Sequence, residues 1–236
     1  FFNNMRLAHR LAIAIGLPLV GVVLFGGWLL YDAQTLSKSV ERIAGHMTML
    51  TKVSDLVHEL QKERGMSAVF LSSNGQKMGG DLIEQRKASD KAKAAFDSAA
   101  VHLKAEATTD AIAALNAALD GLGQIGERRG RVSKQAVIAP ESNLYYTKTI
   151  RALIDIGSAV AKEAADPEMT KSAWAYVNIM QAKERAGTER ALGAPSFAAG
   201  MFTPQQQERF LRNAGEQEAY LQQFYGFASP DERQAW

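Results

Sequence analysis

The 236-residue sequence contains no cysteine, which excludes disulfide bonds, a thiolate nucleophile and cysteine-based metal sites. Its four histidines lie far apart in sequence. The pair His58-Glu59 lacks the second histidine, four residues after the first, that a zinc-protease helix needs. The sequence therefore predicts neither a metal site nor a cofactor.

An excess of charge of one sign is also missing. The formal net charge is +2, and no long run of lysine and arginine gives the electrostatic footprint of a nucleic-acid-binding protein. No nucleophile lies beside a base in a recognisable pattern, and the carboxylates fall mostly at solvated helical positions. We therefore expect no nucleic-acid partner and no enzymatic activity, and we assign no catalytic residue.

One long uncharged run is present, the 21 residues LAIAIGLPLVGVVLFGGWLLY at positions 11–31. At about 1.5 Å per residue, a helix of this length spans roughly the 30 Å hydrocarbon core of a bilayer. Trp28 and Tyr31 lie near its end, as interfacial aromatic residues do, while Arg6 and Arg10 precede its start. The run predicts a transmembrane helix that is not cleaved, since it exceeds the apolar core of a secretory signal.

The positive-inside rule then gives the topology of the chain. We predict a cytoplasmic N-terminus over residues 1–10 and a single span over 11–31. Residues 32–236 are expected on the far side of the membrane.

Beyond the apolar run, helix start signals are abundant and no alternating strand pattern appears. The clearest is Thr203-Pro204-Gln205-Gln206, which has a capping threonine, a proline at the first helical position and a glutamine three residues after the cap. These signals predict an all-α fold, with an extracytoplasmic bundle of about six helices over residues 32–228. The predicted helices span residues 33–73, 81–104, 109–127, 141–165, 167–194 and 204–227.

A second capping box, Ser229-Pro230-Asp231-Glu232, opens a helix only four residues before Trp236. So short a helix is not stable alone. We therefore expect residues 229–236 to be the truncated start of a further helix, and the chain to be the front portion of a longer protein.

The first helix after the apolar run has an unusual charged residue on its apolar face. Its stripe holds Ile43, Leu50 and Val57 at one heptad position, and Val53 and Leu60 at the other. Continuing the heptad places Arg64, Ser67 and Leu71 on the same buried seam, whereas Lys62 and Glu63 fall off it and are predicted to be solvated.

A buried guanidinium keeps its charge, and leaving it unpaired costs several kcal/mol, so an anion is expected to face Arg64. One candidate is the carboxylate of Glu184 in the helix over 167–194, and the other is a bound anion. On residue chemistry alone we favour the salt bridge, because buried ion pairs are often purely structural.

Two further arginines, Arg185 and Arg190, lie in that second helix beside Ala186 and Gly187, whose small size lets helix backbones approach closely. Either guanidinium is a candidate neighbour of Arg64. Cations gathered in one small volume repel each other unless an anion lies between them. The charged run ERRGRVSK at 127–134 is interpreted as a solvated loop.

Three segments together resemble the ordered motifs of the NIT family, the nitrate- and nitrite-sensing domain. They are LVHELQKERGMSAVFLSS, YYTKTIRALI and QAKERAGTERALGAPSFAAGMFTPQQQERF, and the resemblance covers about residues 50–225. Such domains occur outside the membrane in bacterial chemoreceptors and sensor kinases, and in a cytoplasmic antitermination regulator. We carry nothing over from the family to residues 76–139.

The resemblance implies a helical sensor in which arginines hold a small anion, and it changes our preference to the anion site. Nitrate is planar and weakly hydrated, as is guanidinium, which can bind it with two parallel hydrogen bonds. Nitrite and other small oxyanions fit the same chemistry. The candidate ligand-binding residues are the arginines Arg64, Arg185 and Arg190, with Gln61, Ser67 and Tyr146 as neutral donors.

The resemblance therefore predicts the sensor of a bacterial transmembrane signal transducer, most simply a homodimeric methyl-accepting chemotaxis protein. It is expected in the bacterial inner membrane, anchored through residues 11–31, with residues 32–236 in the periplasm. The alternative is a structural dimerisation or partner-binding bundle without a small-molecule ligand. A bond between Arg64 and Glu184 favours the alternative, and arginines converging on an empty polar pocket favour the sensor.

Overall fold

A computed structural model describes residues 7–163, 166–198 and 200–235. These residues form helices and no strand, which confirms the all-α class. The helices are α1 Leu7–Ser72, α2 Gly79–Glu106, α3 Thr109–Gly123, α4 Ile125–Ser133, α5 Ala139–Glu163, α6 Pro167–Ala198, α7 Pro204–Phe227 and α8 Pro230–Ala235.

The helix boundaries follow local capping chemistry. At the start of α7, the hydroxyl of Thr203 accepts a hydrogen bond from the Gln206 backbone, and the Gln206 side chain accepts one from the Thr203 backbone. Ser229 and Glu232 make the same reciprocal pair of bonds at the start of α8. Both predicted capping boxes are therefore confirmed, and each fixes a helix start by satisfying backbone N–H groups that have no partner within the helix.

The chain divides into two compact units, Phe1–Ala44 and Gly45–Trp236. In the first unit, the described side chains between residues 19 and 32 are mostly exposed. Across the described part of the chain, no helix combines the length and hydrophobicity that a membrane crossing requires. The structure therefore does not support the transmembrane helix predicted over 11–31, although the side chains of residues 11–15, 17 and 18 lie outside the described residues, as do residues 1–6 and 236.

In the second unit, α1, α2, α3, α5 and α6 contribute most of one apolar core, to which α4 adds Ile125. The core seam predicted on α1 is confirmed from Leu50 to Leu60, because Leu50, Val53, Val57 and Leu60 are all at most 2% exposed. The side chain of Ile43, which was predicted on the same seam, lies outside the described residues. The largest fully buried side chains beside these include Tyr146, Phe96, Leu115, Leu122, Ile150, Leu153, Ile154 and Ile156.

The α5 helix packs against α3 and α6, and α6 also packs against α7. A glycine permits the close approach of α5 to α6. A Cβ at Gly157 would lie 3.0 Å from Val177 Cγ2 of α6 and 3.2 Å from Leu50 Cδ2 of α1, so a side chain at this position would crowd both neighbours. This packing brings the polar end of the α1 seam against both α5 and α6.

Candidate functional site

Arg64 lies on the buried seam of α1, as the heptad pattern predicts, and is 8% exposed. Its Nη1 donates to Glu184 Oε1 at 2.5 Å and its Nη2 donates to Glu184 Oε2 at 3.1 Å, which makes a two-point ion pair from α1 to α6. Gln61 Nε2 donates to the same Oε2 at 2.9 Å. Arg64 Nη1 also donates to Thr147 Oγ1 of α5 at 2.9 Å. Three helices therefore meet at this guanidinium.

The ion pair is the contact that the structural-bundle hypothesis predicts for Arg64. The Glu184 carboxylate is itself 3% exposed, so the two charges neutralise each other inside the bundle. Thr147 was not a predicted site residue, although it directly follows Tyr146 in the motif YYTKTIRALI. Its position in that motif was the available signal.

A second guanidinium lies close to Arg64. A Cβ at Gly187 of α6 would lie 3.1 Å from Arg64 Nη2 and 3.9 Å from Arg190 Nη2, so the two nitrogens are separated by no more than the sum of these distances. Arg190 is exposed, and among the described residues it has no carboxylate partner. The bare backbone of Gly187 thus separates a buried, paired arginine from an exposed, unpaired one.

Arg185 lies on another side of α6 and does not join this group. Its Nε lies 2.8 Å from Glu216 Oε2 of α7, and its guanidinium carbon lies 5.8 Å from the centre of the Tyr220 ring. Its backbone oxygen accepts a hydrogen bond from Asn213 at 2.8 Å. Arg185 therefore contributes to the contact between α6 and α7.

A second buried ion pair lies beside the first. Glu63 is 0% exposed, and its carboxylate accepts hydrogen bonds from Arg129 Nε at 2.7 Å, Arg129 Nη2 at 2.8 Å and the Tyr146 hydroxyl at 2.7 Å. Arg129 also donates to Asp90 at 2.6 Å. Two predictions are wrong here: Glu63 is buried, and residues 127–134 belong largely to α4, which presents Arg129 to the carboxylate.

These contacts shift the pKa values of both acidic groups. Burial by itself raises the pKa of Glu63, but the hydrogen bonds and positive charge of Arg129 outweigh it and hold the pKa below its usual value. Burial, followed by the negative charge of Glu63, raises the pKa of Tyr146. The cluster therefore holds an ionised carboxylate against a neutral phenol.

Two predicted donors, Tyr146 and Ser67, belong to this second cluster. Ser67 is fully buried beside Tyr146, where its hydroxyl makes no hydrogen bond of standard geometry. The structure thus brings together Arg64, Gln61 and Arg190 and places the other three predicted residues elsewhere. In the part of the chain that the structure describes, no group of three or more histidine and carboxylate side chains is arranged to hold a metal ion.

The sequence matches the profile of the NIT family, described as nitrate and nitrite sensing, over residues 55–236. A nitrate regulatory protein of Klebsiella oxytoca is 27% identical over 203 residues, which cover 86% of this chain and 51% of that protein. The solved structure of the NasR transcription antiterminator superimposes with a TM-score of 0.80 at 26% identity, over 88% of this chain and 56% of that chain. The chain thus spans about half the length of the relatives it matches.

These comparisons confirm the predicted resemblance to the NIT family, but they correct the predicted type of protein and its location. The prediction of a transmembrane chemotaxis receptor is wrong, because the relatives are a nitrate regulatory protein and a transcription antiterminator. The predicted inner-membrane location, with residues 32–236 in the periplasm, is contradicted by the same relatives. An uncharged apolar run such as 11–31 indicates hydrophobicity and does not by itself identify a membrane receptor. The expectation of no nucleic-acid partner also gains no support from an antiterminator relative.

Proposed function

Because the chain belongs to the nitrate and nitrite sensing family, we propose that its helical bundle binds nitrate, nitrite or a similar small planar anion between Arg64 of α1 and Arg190 of α6. The domain is the sensory part of a nitrate-responsive regulator. It acts by binding and not by catalysis, and it needs no metal or cofactor.

The observation that carries this proposal is that the guanidinium groups of Arg64 and Arg190 both approach Gly187, while a single carboxylate, that of Glu184, is paired with Arg64. Glu184 balances Arg64, whereas the charge of Arg190 is unbalanced within the described residues. A bound monoanion supplies a charge partner for Arg190. Guanidinium donors match a planar oxyanion in shape and in weak hydration, which favours nitrate and nitrite over strongly hydrated ions.

Anion binding transmits a signal only if it favours one arrangement of the helices over another. Arg64 and Arg190 belong to different helices, and an anion held by both draws α6 toward α1 at this level. Shifts on the order of 1 to 2 Å between packed helices are typical of such switches. The relatives named for nitrate regulation and antitermination support a regulatory output.

Calorimetric titration of nitrate and nitrite into the folded chain, with chloride as the reference anion, tests the proposal. Arg190→Gln is expected to weaken nitrate binding at least tenfold, since one charge-assisted contact is lost. Arg185→Gln is the matched control: it removes the same charge from the same helix, but on the side facing α7. Equal losses in the two variants, or no binding by the folded wild type, would overturn the proposal.

A second candidate function is the structural bundle without a ligand, which the Arg64–Glu184 ion pair favours directly. This reading predicts that folded wild-type protein binds neither nitrate nor nitrite. It also assigns the domain to dimerisation or partner binding. The homodimer stays a prediction, which light scattering after size-exclusion chromatography checks.

A further inference from the structure

We infer that the Glu184 carboxylate is a built-in competitor of the sensed anion: it occupies the anion's place on Arg64 in the empty domain and is displaced when the anion binds. This inference rests on the proposed function. It adds a residue that sets the affinity of the site and couples binding to the position of α6.

The geometry of the ion pair is that of a bound oxyanion. A carboxylate is a planar monoanion with two oxygens, and those of Glu184 each bond a different terminal nitrogen of Arg64. Gln61 Nε2 is the third hydrogen-bond donor to this carboxylate, and it donates to Oε2. Nitrate and nitrite present the same arrangement of two coplanar oxygens, so the donors that hold Glu184 are also suited to them.

The nitrogen that the two anions share is Arg64 Nη2. It lies on the Gly187 side of the guanidinium, near Arg190, and an anion bridging the two arginines must bind there. Glu184 Oε2 already lies 3.1 Å from the same nitrogen. A second anionic oxygen on Nη2 is repelled by the first across a buried site, where such repulsion is weakly screened. Binding of the external anion therefore releases the carboxylate.

The release has a mechanical consequence, because Glu184 belongs to α6. A buried carboxylate without its cation is costly, so the displaced side chain must leave the α1 interface and reach water or another cation. The direct link from Glu184 of α6 to Arg64 of α1 is then replaced by one through the bound anion. Exchange of an internal for an external anion is thus the event that distinguishes the two states.

The test is nitrate titration of the full chain carrying Glu184→Gln, beside the wild type. Removing the competitor is expected to tighten nitrate binding by at least about tenfold, the range of one charged hydrogen bond. Glu216→Gln is the control, because it removes the same charge from the partner of Arg185 and is expected to leave the affinity unchanged.

The outcomes separate the two claims. If the wild type binds nitrate and Glu184→Gln binds it equally or more weakly, Glu184 is not a competitor, and the inference fails while the proposed function stands. If no folded variant binds nitrate or nitrite, the proposed function itself fails. Tighter binding in Glu184→Gln alone supports both.

A second measurement covers the case in which Glu184→Gln does not fold, since it leaves Arg64 without its carboxylate. The variant is refolded in sodium nitrate and in sodium chloride at equal ionic strength. Recovery of helical circular dichroism in nitrate alone supports the inference, because the external anion then replaces the lost carboxylate. Equal behaviour in the two salts overturns it.

Discussion

Glu63 and Arg64 are consecutive residues of α1, both buried, and each forms an ion pair with a different helix. Glu63 pairs with Arg129 of α4, whereas Arg64 pairs with Glu184 of α6. Consecutive helical residues point about 100° apart, so α1 is buried on two faces at this level. The first pair fastens α1 to α4, and the second is the contact that an anion can exchange.

Arg129→Ala is predicted to destabilise the protein by about 3 kcal/mol, because the fully buried Glu63 loses its hydrogen-bonded cation and keeps only Arg86, whose Nε lies 3.9 Å from Glu63 Oε1. The neighbouring Arg128→Ala is the matched control. Arg128 lies 3.8 Å from Glu141 in a pair that is partly exposed, and its loss is expected to cost about 1 kcal/mol or less. Urea denaturation compares the two variants. If the two variants lose similar amounts of unfolding free energy, the Glu63–Arg129 pair does not stabilise the contact between α1 and α4.

The lowered pKa of Glu63 predicts a loss of stability in acid. The unfolded carboxyl titrates near its usual value of 4.5, and the folded one titrates lower. The stabilisation is therefore complete above about pH 4.5 and is lost as the pH falls through the folded pKa. The free energy of unfolding should decline less steeply in Glu63→Gln than in the wild type over this window. The lowered pKa of Glu59 leaves a residual slope in both proteins, and identical slopes would contradict the prediction.

The raised pKa of Tyr146 predicts a loss of stability in base. Its phenol stays neutral in the folded state, whereas the unfolded tyrosine ionises near 10, so the stabilisation is present below about pH 10 and is lost above it. Phenolate absorbance should show one tyrosine that ionises only on unfolding and that is missing in Tyr146→Phe. Tyr145, whose pKa burial raises to about 12, is the internal comparison. An unchanged titration in Tyr146→Phe would refute the assignment.

Gly187→Ala is predicted to weaken nitrate binding, because its Cβ would lie 3.1 Å from Arg64 Nη2, where the anion is proposed to bind. Gly65→Ala is the control, since a Cβ at that position meets nothing within 4 Å. Replacing a helical glycine by alanine there should stabilise α1 by about 0.5–1 kcal/mol and leave nitrate affinity unchanged. Calorimetry measures the nitrate affinity of both variants. If the two affinities are equal, Gly187 is not part of the binding site.

The sequence predicted Arg64 because one charged residue interrupts a regular apolar seam. The same heptad pattern did not predict the burial of Glu63, which lies one position away. A single heptad stripe describes a helix that is buried on one face only. The sequence pattern also missed the role of Arg129, since a run of charges says nothing about which of them points inward. Burial on two faces is a property of the assembled helices and not of α1 alone.

The choice between Arg185 and Arg190 was also beyond the sequence. Both lie beside small residues of α6, and the difference arises from α7, which presents Glu216 and Tyr220 to Arg185. Helix starts were predicted correctly where they depend on neighbouring residues alone, as at the Thr203 capping box. The apolar run at 11–31 misled the prediction of function, because hydrophobicity does not identify the protein to which a sensor is attached.

A crystal structure of the full chain in saturating nitrate tests the central claim most directly. The account predicts a nitrate ion within hydrogen-bonding distance of Arg64 Nη2 and the Arg190 guanidinium, beside Gly187. An Arg64–Glu184 pair that remains intact in such crystals, with no nitrate at either arginine, would contradict it.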